Sequence, residues 1–231
     1  MVLVLLYCKI YSRPIYGTAI VVDFGVKVGC WMSKMKYSSG LISQSFWFIE
    51  FKKVIKLLHD GKTYDDIKRL CLEENLFGAS KENRARRMFG YISTRAKTFD
   101  SEMIELFNTS HIATQKTMTL FAIVKSDKLF SEFLYEVYRE KVILGINQLD
   151  DSDTNIFFKN KQAQNEDIAS WSDVTLNKLR NCYTNYLTDA GLLTISSGKK
   201  NITPPILDKE LEMCLLTHYD EQFIKAITGV N

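Results

Sequence analysis

The chain has 231 residues, 46% of them hydrophobic and 25% charged, with a net charge of +3. Such a composition can bury a real core and excludes a disordered or collagen-like chain, and the length leaves room for two domains. The small net charge does not by itself point to nucleic acid, so any such partner must be argued from local patches.

Only 3 prolines and 11 glycines interrupt the chain, which favours a mostly helical protein. The five cysteines, Cys8, Cys30, Cys71, Cys182 and Cys214, are an odd number and contain no CxxC pair. That fits reduced thiols in a cytoplasmic protein better than a disulfide framework or a zinc site. No metal and no cofactor are expected. No stretch reaches the roughly 18 apolar residues of a spanning helix, so no membrane partner is expected.

Residues 1–34 read differently from the rest. They are rich in Val, Ile, Tyr and Gly and lack a helical period, so they are expected to be an upstream extension or a loose arm. The native start would then be Met32 or Met35. A β-hairpin packed on the domain is the other reading.

From Leu41 the period is helical. Phe48, Phe51, Val54, Ile55 and Leu58 share one face, and Gly61 stops the run. Thr63 is placed to cap the next helix, whose Asp65 and Asp66 lie in its first turn. "LFGA" makes a turn, and Ser80 is expected to cap "KENRARRMFGYISTRAK". Helices follow at "SEMIELFN", "IATQKTMTLFAIVK" and, capped by Ser126 or Asp127, "KLFSEFLYEVYREKVIL".

"NQLDDSD" is expected to be the seam between an N-terminal helical domain, 35–148, and a C-terminal one, 149–231. Beyond it Ser172 caps a long helix with Leu176, Leu179, Cys182, Tyr183, Tyr186 and Leu187 facing inward. The tract "LLTISSGKKNITPPIL" then reads as a small β-hairpin, and one or two helices close the chain. The expected fold class is therefore mainly α, with a helix-turn-helix-like N-terminal domain and a winged-helix-like C-terminal domain.

Two tracts carry the chemistry. Residues 80–97 hold six bases, Lys81, Arg84, Arg86, Arg87, Arg95 and Lys97, against one acid, Glu82. Their helical phase puts Ala85, Met88, Phe89, Ile92 and Ala96 on one side and Arg84, Arg87, Tyr91 and Arg95 on another. A short helix and a Gly78 turn precede them, which is the helix-turn-helix outline. The alternative is a solvated face whose cations pair with acids elsewhere. In the second tract, Lys178 and Arg180 lie on the expected recognition helix and Lys199 and Lys200 at the wing tip. Winged helices also serve as protein–protein modules. Between Thr98 and Ser170 there are twelve acids and seven bases, so the middle of the chain is acidic. No Walker loop, GxSxG or HExxH motif is present, and catalysis is not expected.

Several phrases together resemble a known family. They are "GKTYDDIKRLCLEENLF", "KSDKLFSEFLYEVYREK", "NIFFKNKQAQNEDIASWSDVTLNKLRNCYTNYLTDAGLL" and "PPILDKEL". Their order, from about Tyr37 to Gly229, is similar to that of the BrxA family, accessory proteins of bacterial BREX phage-defence systems. The resemblance implies a cytoplasmic, two-domain helical protein that binds double-stranded DNA. It implies a methyltransferase, an ATPase and a phosphatase-like protein as neighbours. The family has no established catalytic residues to carry over. Lys81, Arg84, Arg87, Tyr91, Arg95, Lys178, Arg180, Lys199 and Lys200 are the candidate DNA contacts. The rival expectation is an adaptor of the defence complex whose DNA affinity is incidental.

Overall fold

A computed structural model describes residues 35–217 and 221–230, so the reading of residues 1–34 lies outside the described residues. The fold is mainly helical with one small antiparallel sheet. The helices are α1 (Phe48–His59), α2 (Tyr64–Glu73), α3 (Glu82–Ala96), α4 (Ser101–Thr109) and α5 (Ile112–Ser126). α6 (Lys128–Phe133) runs through a π-helical turn (Leu134–Tyr138) into α7 (Arg139–Ile143). Then come α8 (Asp151–Gln164), α9 (Glu166–Ala169), α10 (Asp173–Ala190), β1 (Leu193–Ser196), β2 (Lys199–Ile202), α11 (Lys209–Thr217) and α12 (Glu221–Thr228).

The helical period read from Leu41 does not make one continuous helix. Gly40–Ser43 is a 3-10 turn, and Gln44 is extended. α1 starts only after Trp47, a non-glycine residue in the left-handed region at φ 51 and ψ 44. The reason lies in the carbonyls. Gln44 O accepts from the Tyr186 hydroxyl at 3.0 Å, and Ser45 O and Phe46 O each accept from Arg95 at 3.0 Å. Oxygens that a helix would offer to its own amides are committed to side chains of other elements.

Local signals set the next helix ends. Thr63 and Asp66 form a reciprocal capping box at α2, with Asp66 N donating to Thr63 Oγ1 at 3.2 Å. The α2–α3 turn is tied by Asn75, whose Oδ1 accepts from Ala79 N at 2.7 Å, and Gly78 supplies the left-handed φ of 62. Ser80 does not cap α3. Lys81 holds the N-cap position and makes no side-chain cap bond. Asp127, rather than Ser126, caps α6, accepting from Phe130 N at 2.9 Å. Ser172 caps α10 as expected.

α5 lies at the centre. Met118 through Val124 are all buried, as an apolar run on every face requires, and α1, α3, α4, α6 and α10 pack around it. Phe51 meets Phe99 and Phe107 edge-on at 5.5 and 5.6 Å. A second aromatic group joins Phe130, Phe133, Phe157 and Tyr183, with Phe130 and Tyr183 centroids 4.8 Å apart. One hydrophobic cluster runs from Leu41 to Ile227 and so crosses the expected seam. At that seam Asp150 and Asp153 form the capping box of α8. Asn147–Leu149 lies along β2, Ile202 N donating to Asn147 O and Leu149 N to Lys200 O, both at 2.9 Å. The hairpin itself turns through Ser197 and Gly198, both at positive φ, as a two-residue hairpin loop requires.

Burial raises the Asp127 carboxyl from 3.8 to about 6. A carboxyl raised in the folded state binds its proton more tightly there than in the unfolded chain. Its stabilising contribution is complete below about pH 4 and is lost as pH rises through about 6. Asp127→Asn keeps an N-cap acceptor and removes the titration. Urea unfolding of this variant should lose one component of the decline in stability between about pH 4 and 6, relative to the parent.

Candidate nucleic-acid interface

α2 and α3 pack together across the Gly78 turn, and α3 buries Ala85, Met88, Ile92 and Ala96. The opposite face carries Lys81, Arg84, Arg86 and Arg87, all exposed. Arg86 is neutralised by Glu82 at 2.6 Å, one turn away. Lys81, Arg84 and Arg87 have no ion-pair or hydrogen-bond partner among the described residues. These three unpaired cations sit within about 9 Å of helix axis. Lys81 and Arg84 also sit in the first turn, at the positive end of the helix dipole, where acids are favoured and cations disfavoured. Helix stability does not explain their placement. A bound polyanion would relieve both the mutual repulsion and the dipole mismatch.

Further along the same stripe the structure departs from the expectation. Tyr91 is half-buried and stacks on Trp47, with centroids 6.2 Å apart and planes at 22°. Arg95 is only 1% exposed and faces no solvent partner. Its guanidinium donates to Ser45 O, Phe46 O and Gln44 Oε1 at 3.0, 3.0 and 2.9 Å. It lies 5.5 Å from the Trp47 ring centre and 6.0 Å from that of Tyr186. Burial pulls its pKa below the usual arginine value. Arg95 is therefore withdrawn from the exposed stripe. Helical phase could not have told this: at 100° per residue Arg95 lies only about 20° round the helix from Arg84. Segment 44–47 covers the C-terminal turns of α3 and leaves the N-terminal turns open.

The second set of cations also divides. Arg180 donates to Asn155 Oδ1 and Asn177 Oδ1, each at 3.0 Å. Lys200 Nζ meets Asp151 Oδ1 at 2.5 Å, and this hydrogen bond lowers the Asp151 pKa. Asp151 and Asn155 stand one turn apart at the start of α8, so Arg180 and Lys200 fasten α10 and the hairpin to that helix. Lys178 and Lys199 are exposed and have no such partner among the described residues. A buried ionic group went unread in the sequence: Lys161 of α8 bonds Glu132 and Glu136 at 2.7 and 2.6 Å, and Tyr37 donates to Glu132 at 2.9 Å. Only the i, i+4 spacing of Glu132 and Glu136 hinted at it.

These features define a mainly helical protein in which α3, joined to α2 by a short turn, presents unpaired cations at its start. Residues 35–219 match the family model described as BrxA. The chain is 37% identical over 172 residues to the BREX protein BrxA of Bacillus cereus (strain H3081.97), covering 74% of this chain and 86% of that protein. It is 23% identical over 167 residues to the BREX protein BrxA of Paramagnetospirillum magneticum (strain ATCC 700264 / AMB-1), covering 71% and 83%. The fold is similar to the crystal structure of an uncharacterized protein from Magnetospirillum magneticum, with a TM-score of 0.72 at 19% identity, over 85% of this chain and 100% of that one. The chain belongs to the BrxA family.

The two kinds of arginine on α3 should respond differently to truncation. Arg95→Ala leaves the buried Phe46 O and the part-buried Ser45 O and Gln44 Oε1 without this donor, and should cost about 3 kcal/mol in chemical denaturation. Arg87→Ala should change stability by no more than about 0.5 kcal/mol.

Proposed function

We propose that this chain is a non-enzymatic, double-stranded-DNA-binding accessory component of a BREX anti-phage defence system. It would act in the cytoplasm beside a methyltransferase, an ATPase and a phosphatase-like component. Membership of the BrxA family and two relatives named as BREX proteins support the defence role. No helix among the described residues is long and apolar enough to cross a membrane.

One observation carries the DNA reading: the unpaired, exposed Lys81, Arg84 and Arg87 at the start of α3, the second helix of a helix–turn–helix arrangement. In that geometry N-terminal side chains of the second helix reach the major groove while neighbouring cations hold phosphates. Tyr91, on the flank and stacked on Trp47, would pack against the backbone. Lys178 and Lys199 would supply a second contact, with Arg180 and Lys200 supporting them through α8. Salt-titrated binding to duplex DNA tests this. The Lys81→Ala/Arg84→Ala/Arg87→Ala variant should bind more weakly, and its log–log salt slope should become shallower by ~0.9 for each phosphate it no longer neutralises. Parent-like binding by this variant would remove α3 from the interface.

A separate observation favours the adaptor reading. A cleft of about 250 Å³ opens between the π-helical turn, α7 and α8, lined by Val137, Leu144, Ile146 and Ile156 together with Glu136, Glu140 and the Lys141–Asp153 pair. Leu144 and Ile156 are 69% and 58% exposed there. Exposed apolar anchors of this kind suit the apolar face of an amphipathic partner segment. If docking rather than DNA binding is the main task, Leu144→Glu/Ile156→Glu should abolish phage protection in cells while leaving duplex affinity intact. Retained protection would dismiss the cleft.

A further inference from the structure

Arg95 presents a physical puzzle. It is buried without a carboxylate, and its Nε has no hydrogen-bond partner among the described residues. An unpaired buried cation is costly, and an apolar side chain of similar volume would fill the space at lower cost. What an apolar side chain could not do is bind three oxygens at once. Those oxygens belong to Gln44, Ser45 and Phe46, which lead into the left-handed Trp47. A non-glycine residue there persists only when its surroundings over-determine it. Here Arg95 and Tyr91 of α3 both pack against the Trp47 ring.

The same guanidinium touches α10. Tyr186 lies beneath it, and the Tyr186 hydroxyl donates to Gln44 O and Leu41 O at 3.0 and 3.3 Å. α3, segment 41–47 and α10 therefore meet at one buried knot. Each helix carries an unpaired cation eight residues N-terminal to its residue in the knot, Arg87 before Arg95 and Lys178 before Tyr186. Eight residues of helix span about 12 Å, so each cation sits about 12 Å along its helix from a common point. The knot therefore bears on how these two cations stand relative to one another.

We infer that Arg95 is a positioning residue that sets α3 and α10 in mutual register, so that their cations engage one duplex as a single surface. It touches no DNA itself. The inference rests on the DNA-binding reading above and goes beyond it by assigning the coupling between the two contacts. Two contacts held in register bind far more tightly than two that move independently, because the second engagement is already oriented. Loosening the knot should leave each contact chemically intact and uncouple them.

A double-mutant cycle on a 30-base-pair duplex tests this, with Kd as the readout. One arm is Arg95→Lys, which keeps the charge but cannot present the fork of three donors. The other is Lys178→Ala/Lys199→Ala. In the parent, removing the two lysines should weaken binding several-fold. In the Arg95→Lys background the same removal should cost at least threefold less, with α-helical content unchanged by circular dichroism. A purely structural role for Arg95 would lower folding stability and leave the cycle additive, which overturns the inference. If Arg95→Lys does not fold, Tyr186→Phe carries the same cycle from the α10 side, since it keeps the ring and removes the hydroxyl. A parent that fails to bind duplex, or that binds equally well without Lys178 and Lys199, overturns the underlying two-contact reading and the inference with it. Normal parent binding with an additive cycle overturns only the inference.

Discussion

The architecture depends on one guanidinium taken out of water. Arg95 replaces its hydration with three protein oxygens and two aromatic faces. Every one of those partners lies outside α3. Segment 44–46 then stays out of helix, because its carbonyls are occupied, and α1 begins only after a left-handed Trp47. The Tyr186 hydroxyl binds the same segment from α10. The lead-in to α1, the C-terminal half of α3 and the C-terminal half of α10 are thus specified together, since hydrogen bonds to a fixed fork are directional where apolar contacts are not.

Around that knot the cations of the chain sort into two kinds. Some are internal fasteners. Lys161 binds Glu132 and Glu136, Lys141 binds Asp153 at 2.6 Å, and Arg180 and Lys200 bind the start of α8. Each joins elements separated in sequence and leaves little charge for an outside partner. Others, Lys81, Arg84, Arg87, Lys178 and Lys199, stand exposed with no internal partner among the described residues. Lys81 and Arg84 work against the dipole of their own helix. These charges contribute nothing to internal pairing among the described residues. The near-neutral total hides this division, because many of the acids are committed to the fasteners.

Much of the fold could be read from local signals. The Thr63 box, the Ser172 cap, the apolar stripes of α3 and α10 and the small hairpin all follow from short-range chemistry, and each formed where its residues placed it. The misreadings share one cause. Leu41–Trp47 has an apolar period, but tertiary partners claimed its carbonyls. Ser80 looked like a cap, but the turn is tied by Asn75 and α3 starts one residue later. The π-helical turn in the Leu134–Tyr138 run has no sequence punctuation at all. It is set by packing against α12 and by the Lys161 pairs on its flank.

The candidate site divides along the same line. By itself the sequence determined that α3 is two-sided, that its first turns are basic, and that Gly78 turns the chain ahead of it, because helical phase and residue type are local properties. Which of those bases meets solvent was decided only by tertiary structure. Arg84 and Arg95 differ by about 20° of helical phase, yet one is exposed and the other buried. The difference is the segment 44–47 laid over the C-terminal turns of α3, some fifty residues away in sequence. Likewise Lys178, Arg180, Lys199 and Lys200 look alike in sequence. Asp151 and Asn155, brought in by α8, separate the two fasteners from the two free cations. Burial and pairing depend on what folds against a side chain, and that is settled by contacts the local sequence does not contain.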